Sequence, residues 1–204
     1  MSDRFFTIQA PISVEYKEKG SRFLAFAFSV SSEEEVKRSL NDLRKQYYDA
    51  RHHSYAYIIG LKNQTFRAND DGEPGHSAGD PILGQIRSFK LTNCLVVVIR
   101  YFGGTKLGVG GLIHAYKTAT ADALSLVKKQ EIINRLKINL HFDYNSMGLV
   151  ERWIEEYKAV AINRNYTDLC SITFEMVEDR WAELVGKIDE HAGVFYDSDV
   201  PKDS

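Results

Sequence analysis

The segment YFGGTKLGVGGLIHAY, at 101–116, concentrates glycine between an apolar run and a helical pattern. Five of the nine residues from 103 to 111 are glycine, and ordering so many glycines is costly in conformational entropy. The basic side chains around them are Arg100, Lys106, His114 and Lys117. Backbone N–H groups at a helix start, together with cations, favour an anion such as a phosphodiester. The pattern predicts an anion site, and close packing of the helix on the sheet is the alternative explanation.

The spacing of these glycines matches neither the G-x-x-x-x-G-K-[ST] nor the G-x-G-x-x-G pattern in its expected context, so it does not indicate a nucleotide-hydrolysing P-loop. We predict that the glycines allow close backbone approach and that the basic side chains contact phosphates. The predicted anion- or nucleic-acid-binding residues are Arg100, Gly103, Gly104, Lys106, Gly108, Gly110, Gly111, His114 and Lys117.

A second loop, DDGEP at 70–74, places three carboxylates within four residues. Three carboxylates could bind a hard cation, but the ordered spacing of a calcium loop does not follow, and His76 with its neighbours does not make a zinc site. Carboxylates in such loops more often cap amides or pair with arginine. We therefore predict no metal and no cofactor.

No nucleophile, base and orienting group occur together in the sequence. His52 and His53 could supply a general base, but the candidate nucleophiles Ser54, Ser77 and Cys94 lie in unrelated patterns. Cys94 begins an apolar run and is typical of a buried small residue. Catalytic residues stay unassigned, and the sequence leans away from an enzyme.

The 204 residues fit one large domain or two small ones, and the charge distribution favours two. Residues 1–132 carry 18 lysines and arginines against 14 aspartates and glutamates, whereas residues 133–204 carry 8 against 14. No apolar stretch approaches the roughly 20 residues that span a bilayer. Two distant cysteines indicate a reducing compartment, so we predict a cytoplasmic protein that does not bind membranes.

Apolar periodicity predicts an α+β protein with the domains 1–132 and 133–204. In the first domain we predict strands at 4–10, 22–30, 52–61, 64–68 and 94–101, and helices from Ser32, from Pro81 behind an Asp80 cap, and at 111–129. The second domain is predicted to have the βαββαβ order of a ferredoxin-like fold.

Four segments together resemble the YigZ/IMPACT ("imprinted ancient") family. They are KGSRFLA at 19–25, HHSYAY at 52–57, DDGEP…AGDPIL at 70–83, and VVVIRYFGGTKLGVGGLIHAY at 96–116. The last two are specific, and the acidic second half is similar to the second domain of the bacterial members. The family pattern falls on His52, Asp71, Gly72, Glu73, Pro74, Ala78, Gly79, Arg100, Tyr101, Gly103, Gly104, Leu107, Gly108, Gly110, Gly111 and Tyr116.

The resemblance implies a first domain like those of a ribosomal small-subunit protein and elongation factors, and a ferredoxin-like second domain. It implies translation regulation among the eukaryotic relatives and no particular reaction. We predict a translation regulator that binds RNA or the ribosome through the glycine-rich loop, with His52, Asp71 and Glu73 organising the site. A protein partner could bind the second domain, and no oligomeric state is indicated.

Two other functions stay open at this point. One is an enzyme acting on a phosphorylated small molecule or nucleotide, in which Asp71 and Glu73 hold a divalent cation and His52 or His114 moves a proton. The other is a protein–protein adaptor that uses the aromatic strands.

Overall fold

The computed structural model describes residues 5–61, 65–167 and 169–197. The chain divides into two compact units between Ile132 and Ile133, and both combine helices with antiparallel sheets. This confirms the predicted α+β class with two domains. None of the described helices is long and apolar enough to cross a membrane.

The first unit is a five-stranded antiparallel sheet with helices on both faces. The first and last strands of this unit pair with each other in a separate two-stranded sheet. The strand order of the larger sheet is β2-β3-β6-β4-β5, and β1 pairs with β7. The elements are β1 (Phe5–Ile8), β2 (Ile12–Glu18), β3 (Ser21–Ser29), α1 (Glu33–Gln46), β4 (His52–Ile59), β5 (Thr65–Asn69), α2 (Gly79–Ser88), β6 (Cys94–Tyr101), α3 (Gly108–Ser125) and β7 (Lys129–Ile132).

Strand β6 is central and covered on both faces, as its continuous apolar run predicts. Val96 and Val98 pack toward α2 and α3, whereas Val97 and Ile99 pack toward α1. Because side chains alternate along a strand, this register turns Arg100 toward α2 and α3. Arg100, the last buried residue of β6, is therefore a cation on the sheet face that α2 and α3 cover.

Several boundaries in the first unit differ from the predictions. Strand β2 was not predicted, because it lies at the sheet edge and its apolar residues are only half-buried. Strand β7 was not predicted either, and it pairs with β1 directly before the predicted domain boundary between 132 and 133. Helix α3 begins at Gly108, three residues earlier than expected. Strand β5 pairs with β4 as predicted, and residues 62–64 before it lie outside the described residues.

The second unit has the element order βαββαβ, and its sheet has the strand order β11-β8-β10-β9. Counted within the unit, this order is 4-1-3-2, which confirms the predicted ferredoxin-like fold. The helices bury one face of the sheet around Trp153, Phe174 and Trp181. The elements are β8 (Arg135–Phe142), α4 (Met147–Glu156), β9 (Val160–Asn165), β10 (Cys170–Val177), α5 (Trp181–Asp189) and β11 (Val194–Tyr196).

His53 lies on the α1 face of β4, where its ring is buried and its Nε2 atom has no partner among the described residues. Burial lowers the pKa of His53, and the nearby Asp71 carboxylate opposes that effect. The unfolded chain therefore takes up this proton first as the pH falls below about 6.5. The contribution of neutral His53 to stability is complete above that pH and is lost as the pH falls toward the folded-state pKa.

We predict that His53→Gln flattens the pH dependence of stability between pH 6.5 and 5. The free energy of unfolding of the wild type should fall more steeply, with His53 adding at most about 1.4 kcal/mol per pH unit. Urea titrations at four pH values measure this slope, and the exposed His114→Gln change is the control. Equal slopes for wild type and His53→Gln would show that His53 does not contribute.

Candidate functional site

A buried ion pair joins the acidic loop to the end of β6. The Arg100 Nη1 atom donates to both Glu73 carboxylate oxygens, at 2.8 and 3.0 Å, and both side chains are almost fully buried. The Arg100 guanidinium also lies 5.7 Å from the ring centroids of Phe23 and Phe102. Its Nε atom is buried without a hydrogen-bond partner among the described residues.

The placement of Arg100 differs from the sequence-based expectation of a phosphate contact. Its guanidinium is neutralised by Glu73 and shielded from solvent, so it is not an exposed cation. The physical reason is the alternation of side chains along β6, which turns Arg100 toward the space between the sheet and helices α2 and α3. Glu73 pairs with Arg100, whereas Asp71 does not.

Helix α3 contributes a third member of this buried cluster. The Tyr116 hydroxyl donates to Glu73 Oε1 at 2.8 Å, which ties the third turn of the helix to the acidic loop. Burial raises the pKa of Tyr116 far above its ordinary value, and the negative charge of Glu73 adds to the effect. The tyrosine therefore stays protonated and remains a donor. Ser54 of β4 lies beside it and donates to the Asp70 carbonyl at 2.8 Å.

Asp71 is held by strand β4 and helix α1. One carboxylate oxygen accepts from the His53 backbone N–H at 2.7 Å, and the other accepts from Arg44 at 3.1 Å. The Asp71 carbonyl accepts from His52 Nδ1 at 2.9 Å, which fixes the proton on that ring nitrogen. Asp71 has a φ of 45°, and Gly72 follows with a φ of 86°. The loop is thus turned sharply so that Glu73 points inward.

Asp70 caps helix α2, a role that the sequence assigned wrongly to Asp80. Its carboxylate accepts from the backbone N–H groups of His76, Ala78 and Gly79 at 2.8–2.9 Å. Burial alone would raise the pKa of Asp70, but these hydrogen bonds lower it overall. Asp80 lies inside the first turn of α2 and contacts His76 instead. The cap comes from eight residues upstream, so local cap patterns do not reveal it.

The first glycine of the glycine-rich loop packs against the turn between β2 and β3. A Cβ atom on Gly103 would lie 1.8 Å from the Gly20 carbonyl carbon and 2.1 Å from the Ser21 nitrogen. The Gly103 N–H donates to Ser21 Oγ at 3.2 Å. Gly20 itself has a φ of 79°, so both backbones require glycine where they meet.

The later glycines do not share this reason. Gly104 and Gly108 have φ values of 86° and 72°, and a Cβ at either position would meet no atom of a described residue within 4 Å. Gly110 is exposed and is equally free of such contacts, and a Cβ on Gly111 would approach only the Leu107 side chain. Packing therefore accounts for Gly103 but not for the exposed glycines at 104, 108 and 110.

The exposed surface formed by Phe102, Lys106, Val109, Gly110, Ile113, His114 and Lys117 is called the glycine-loop face below. Helix α3 starts within it at Gly108, and the N-cap Leu107 offers no side-chain acceptor to the first N–H groups. No acidic residue lies in the first turn. Lys106, His114 and Lys117 make no salt bridge with a described residue.

The predicted site residues thus form two layers. Glu73 and Arg100 lie in the buried layer, which His52 and Asp71 support. The remaining cations and all of the glycines except the half-buried Gly111 are exposed. Sequence reasoning missed the roles of Gly20, Ser54, Asp70 and Phe102. The family pattern includes Tyr116, but only the structure shows its bond to Glu73. Among the described residues, no group of three or more His, Cys, Asp or Glu side chains could hold a metal ion.

We predict that Glu73→Leu and Arg100→Leu each destabilise the first unit by about 3–5 kcal/mol, because each leaves a buried charge without its partner. The double variant Glu73→Leu/Arg100→Leu should lose much less unfolding free energy than the sum of the two single losses. Denaturant titrations of all three variants measure this coupling. Additive losses would mean that the two side chains act independently.

We predict that Gly103→Ala destabilises the protein by about 1–3 kcal/mol or more, because its Cβ would overlap the backbone at Gly20. Gly110→Ala is the matched control, since a Cβ meets nothing within 4 Å there and alanine favours a helix. Thermal unfolding should separate the two variants. A similar melting temperature for both would contradict the backbone contact.

Models of two known protein families match the chain, one in each unit. The model of the Impact N-terminal domain matches residues 19–124, which includes the acidic loop, β6 and the start of α3. A second model, a domain of unknown function called DUF1949, matches residues 140–191 in the second unit. The first match alone covers more than half of the chain.

Similar proteins align along most of the sequence. The chain is 33% identical to the IMPACT family member YvyE of Bacillus subtilis, over 86% of this chain and 80% of that protein. It is 29% identical to the IMPACT family member YigZ of Escherichia coli, over 88% of this chain and 89% of that protein. A crystal structure of a hypothetical protein, 26% identical, matches 96% of this chain and 97% of its own with a TM-score of 0.70. The chain belongs to the IMPACT family.

Proposed function

We propose that the protein acts in translation, in the cytoplasm, by binding RNA or the ribosome through the glycine-loop face. Family membership supports translation as the process, since the resemblance implies regulators of translation among the eukaryotic relatives. The observation that carries the proposal is the uncapped start of α3 at Gly108, which lies beside exposed Lys106 and has no acidic residue in its first turn.

The chemistry of this face suits a phosphodiester backbone. The first N–H groups of a helix have no partner within the helix and carry partial positive charge. Glycine at 108, 110 and 111 leaves these N–H groups without side chains that would keep a phosphate away. Lys106 precedes the helix, and Lys117 follows His114 by three residues, which places the two on one side of the helix.

The structure adds a cation that the sequence did not single out. The Lys19–Gly20 turn contacts Gly103 through its backbone, so exposed Lys19 lies next to the start of the loop. We infer that Lys19 extends the cationic surface beyond α3. Arg100 takes a different role, which is to hold the base of the loop through Glu73.

The carboxylates required for the alternative enzyme have other partners. Glu73 binds Arg100 and Tyr116, and Asp71 binds His53 and Arg44. These contacts favour the binding function over a divalent cation held by the two side chains.

For the second unit we propose a protein partner. Residues 133–204 carry a net charge of −6, which opposes binding of nucleic acid. Its edge strand β9 exposes Val160 and Ile162, each about half accessible to solvent. An edge strand with exposed apolar side chains can pair with an extended segment of another protein.

We predict that Lys106→Ala/Lys117→Ala weakens binding to ribosomes and to free RNA and reduces its salt dependence. Loss of two phosphate contacts should lower the slope of log affinity against log salt by about 1.4 for a single strand and about 1.8 for a duplex. Co-sedimentation at several salt concentrations, with purified ribosomes and with free RNA, measures both changes.

The matched control is Lys37→Ala/Lys45→Ala on α1, which removes the same charge from the opposite face of the sheet. Both double variants should keep the wild-type melting temperature, because all four side chains are exposed. Equal binding by the two variants would place the interaction elsewhere, and absence of binding by the wild type would overturn the proposed function.

A further inference from the structure

Phe102 is an exposed aromatic side chain of the glycine-loop face, directly before the first glycine of the loop. Its exposed fraction is 59%, although it lies only two residues after the buried Arg100 of β6. A single exposed apolar residue needs no explanation, but this one does not stand alone. Val109 and Ile113 are 53% and 38% exposed and lie four residues apart on α3.

The backbone on both sides of Phe102 is fixed. Before it, Arg100 is anchored by the buried ion pair with Glu73, and after it, Gly103 is packed against Gly20. The Arg100 guanidinium also lies 5.7 Å from the centre of the Phe102 ring. An aromatic ring held in this way loses little conformational entropy when a ligand stacks on it.

The glycine-loop face combines the exposed apolar side chains of Phe102, Val109 and Ile113 with the exposed cations Lys106 and Lys117. A ligand that satisfies both must carry flat apolar surfaces and regularly spaced negative charges. Unpaired nucleotides have this composition, because their bases expose both faces while their phosphates remain charged. In a duplex the base faces are stacked on each other, so that only the phosphates and the groove edges are available.

We propose that the glycine-loop face recognises single-stranded RNA, with Phe102 stacking on an unpaired base. This inference rests on the proposed function and names its substrate class. Lys106, Lys117 and the start of α3 hold the flanking phosphates, and Val109 and Ile113 cover the neighbouring apolar surface. The cations set the salt dependence, whereas Phe102 sets the preference for unpaired over paired nucleotides.

The test uses the full chain and three fluorescent probes, which are a 12-nucleotide oligouridine, a 12-base-pair RNA duplex and an acidic peptide rich in leucine. Wild type, Phe102→Leu and Phe102→Trp are titrated by fluorescence anisotropy at two salt concentrations. Phe66→Leu is the matched control, since Phe66 is 52% exposed and also lies against an arginine. Phe66 pairs with Ile58 near one end of β4, whereas Arg100 pairs with His52 at the other end. Phe66 therefore lies away from the glycine-loop face.

We expect wild type to bind the oligouridine more tightly than the duplex. Phe102→Leu should weaken oligouridine binding by about 10-fold or more, without changing the salt slope or the affinity for the duplex. Phe102→Trp should restore binding, and Phe66→Leu should have no effect. This combination separates stacking from charge and from a general loss of stability.

Four results would overturn the inference. If Phe102→Leu binds both probes like the wild type, or if the wild type binds the duplex at least as tightly, Phe102 does not select unpaired bases, and RNA binding through the cations still stands. If an acidic peptide rich in leucine binds more tightly than either RNA and depends on Phe102, the face belongs to a protein partner. Failure of the wild type to bind either RNA would overturn the inference, and failure to co-sediment with ribosomes as well would overturn the proposed function.

Discussion

The buried ion pair between Arg100 and Glu73 is the interaction on which the rest of the first unit's functional surface depends. It connects three elements that are distant in sequence, because Glu73 lies in the acidic loop, Arg100 ends β6, and Tyr116 reaches the same carboxylate from α3. Taking two charges out of water costs several kcal/mol for each ion. A well-packed apolar pair could provide similar stability, so we interpret the ion pair as a device that fixes one arrangement of loop, strand and helix.

The second constraint is the backbone contact between Gly103 and Gly20, which holds the loop where it leaves β6. The sequence left two explanations for the glycines open, close packing and access for an anion. The structure assigns packing to Gly103 and a left-handed backbone conformation to Gly104 and Gly108. Close packing and a left-handed backbone do not explain Gly110. This residue is exposed, a Cβ there would meet no described residue within 4 Å, and glycine lowers the stability of a helix. Its presence in the first turn of α3 is the part that the proposed anion site accounts for.

The sequence predicted elements that carry a complete local pattern. Ser32 caps α1 as expected, β6 is buried on both faces, and the second unit has the predicted βαββαβ order of elements along the chain. It did not predict β2, or the pairing of β1 with β7, because edge strands are half-exposed and pairing between distant segments leaves no local signal. The same limit applies to the site. The strand alternation that buries Arg100 can be inferred from the sequence. The Asp70 cap on α2 cannot, because it depends on how the loop from 70 to 79 folds back on itself.

The positive charges of the first unit consequently have different roles. Arg100 carries its charge inside, where Glu73 cancels it, so it contributes little to the field outside the protein. Lys19, Lys106 and Lys117 are exposed, and their field extends about 8–10 Å at physiological salt. Residues 133–204 carry the opposite net charge and repel a polyanion. Under the proposed function, electrostatics therefore directs a nucleic acid to the first unit. The neutral surfaces there, Phe102 and the exposed glycines, then decide which form of nucleic acid can approach closely.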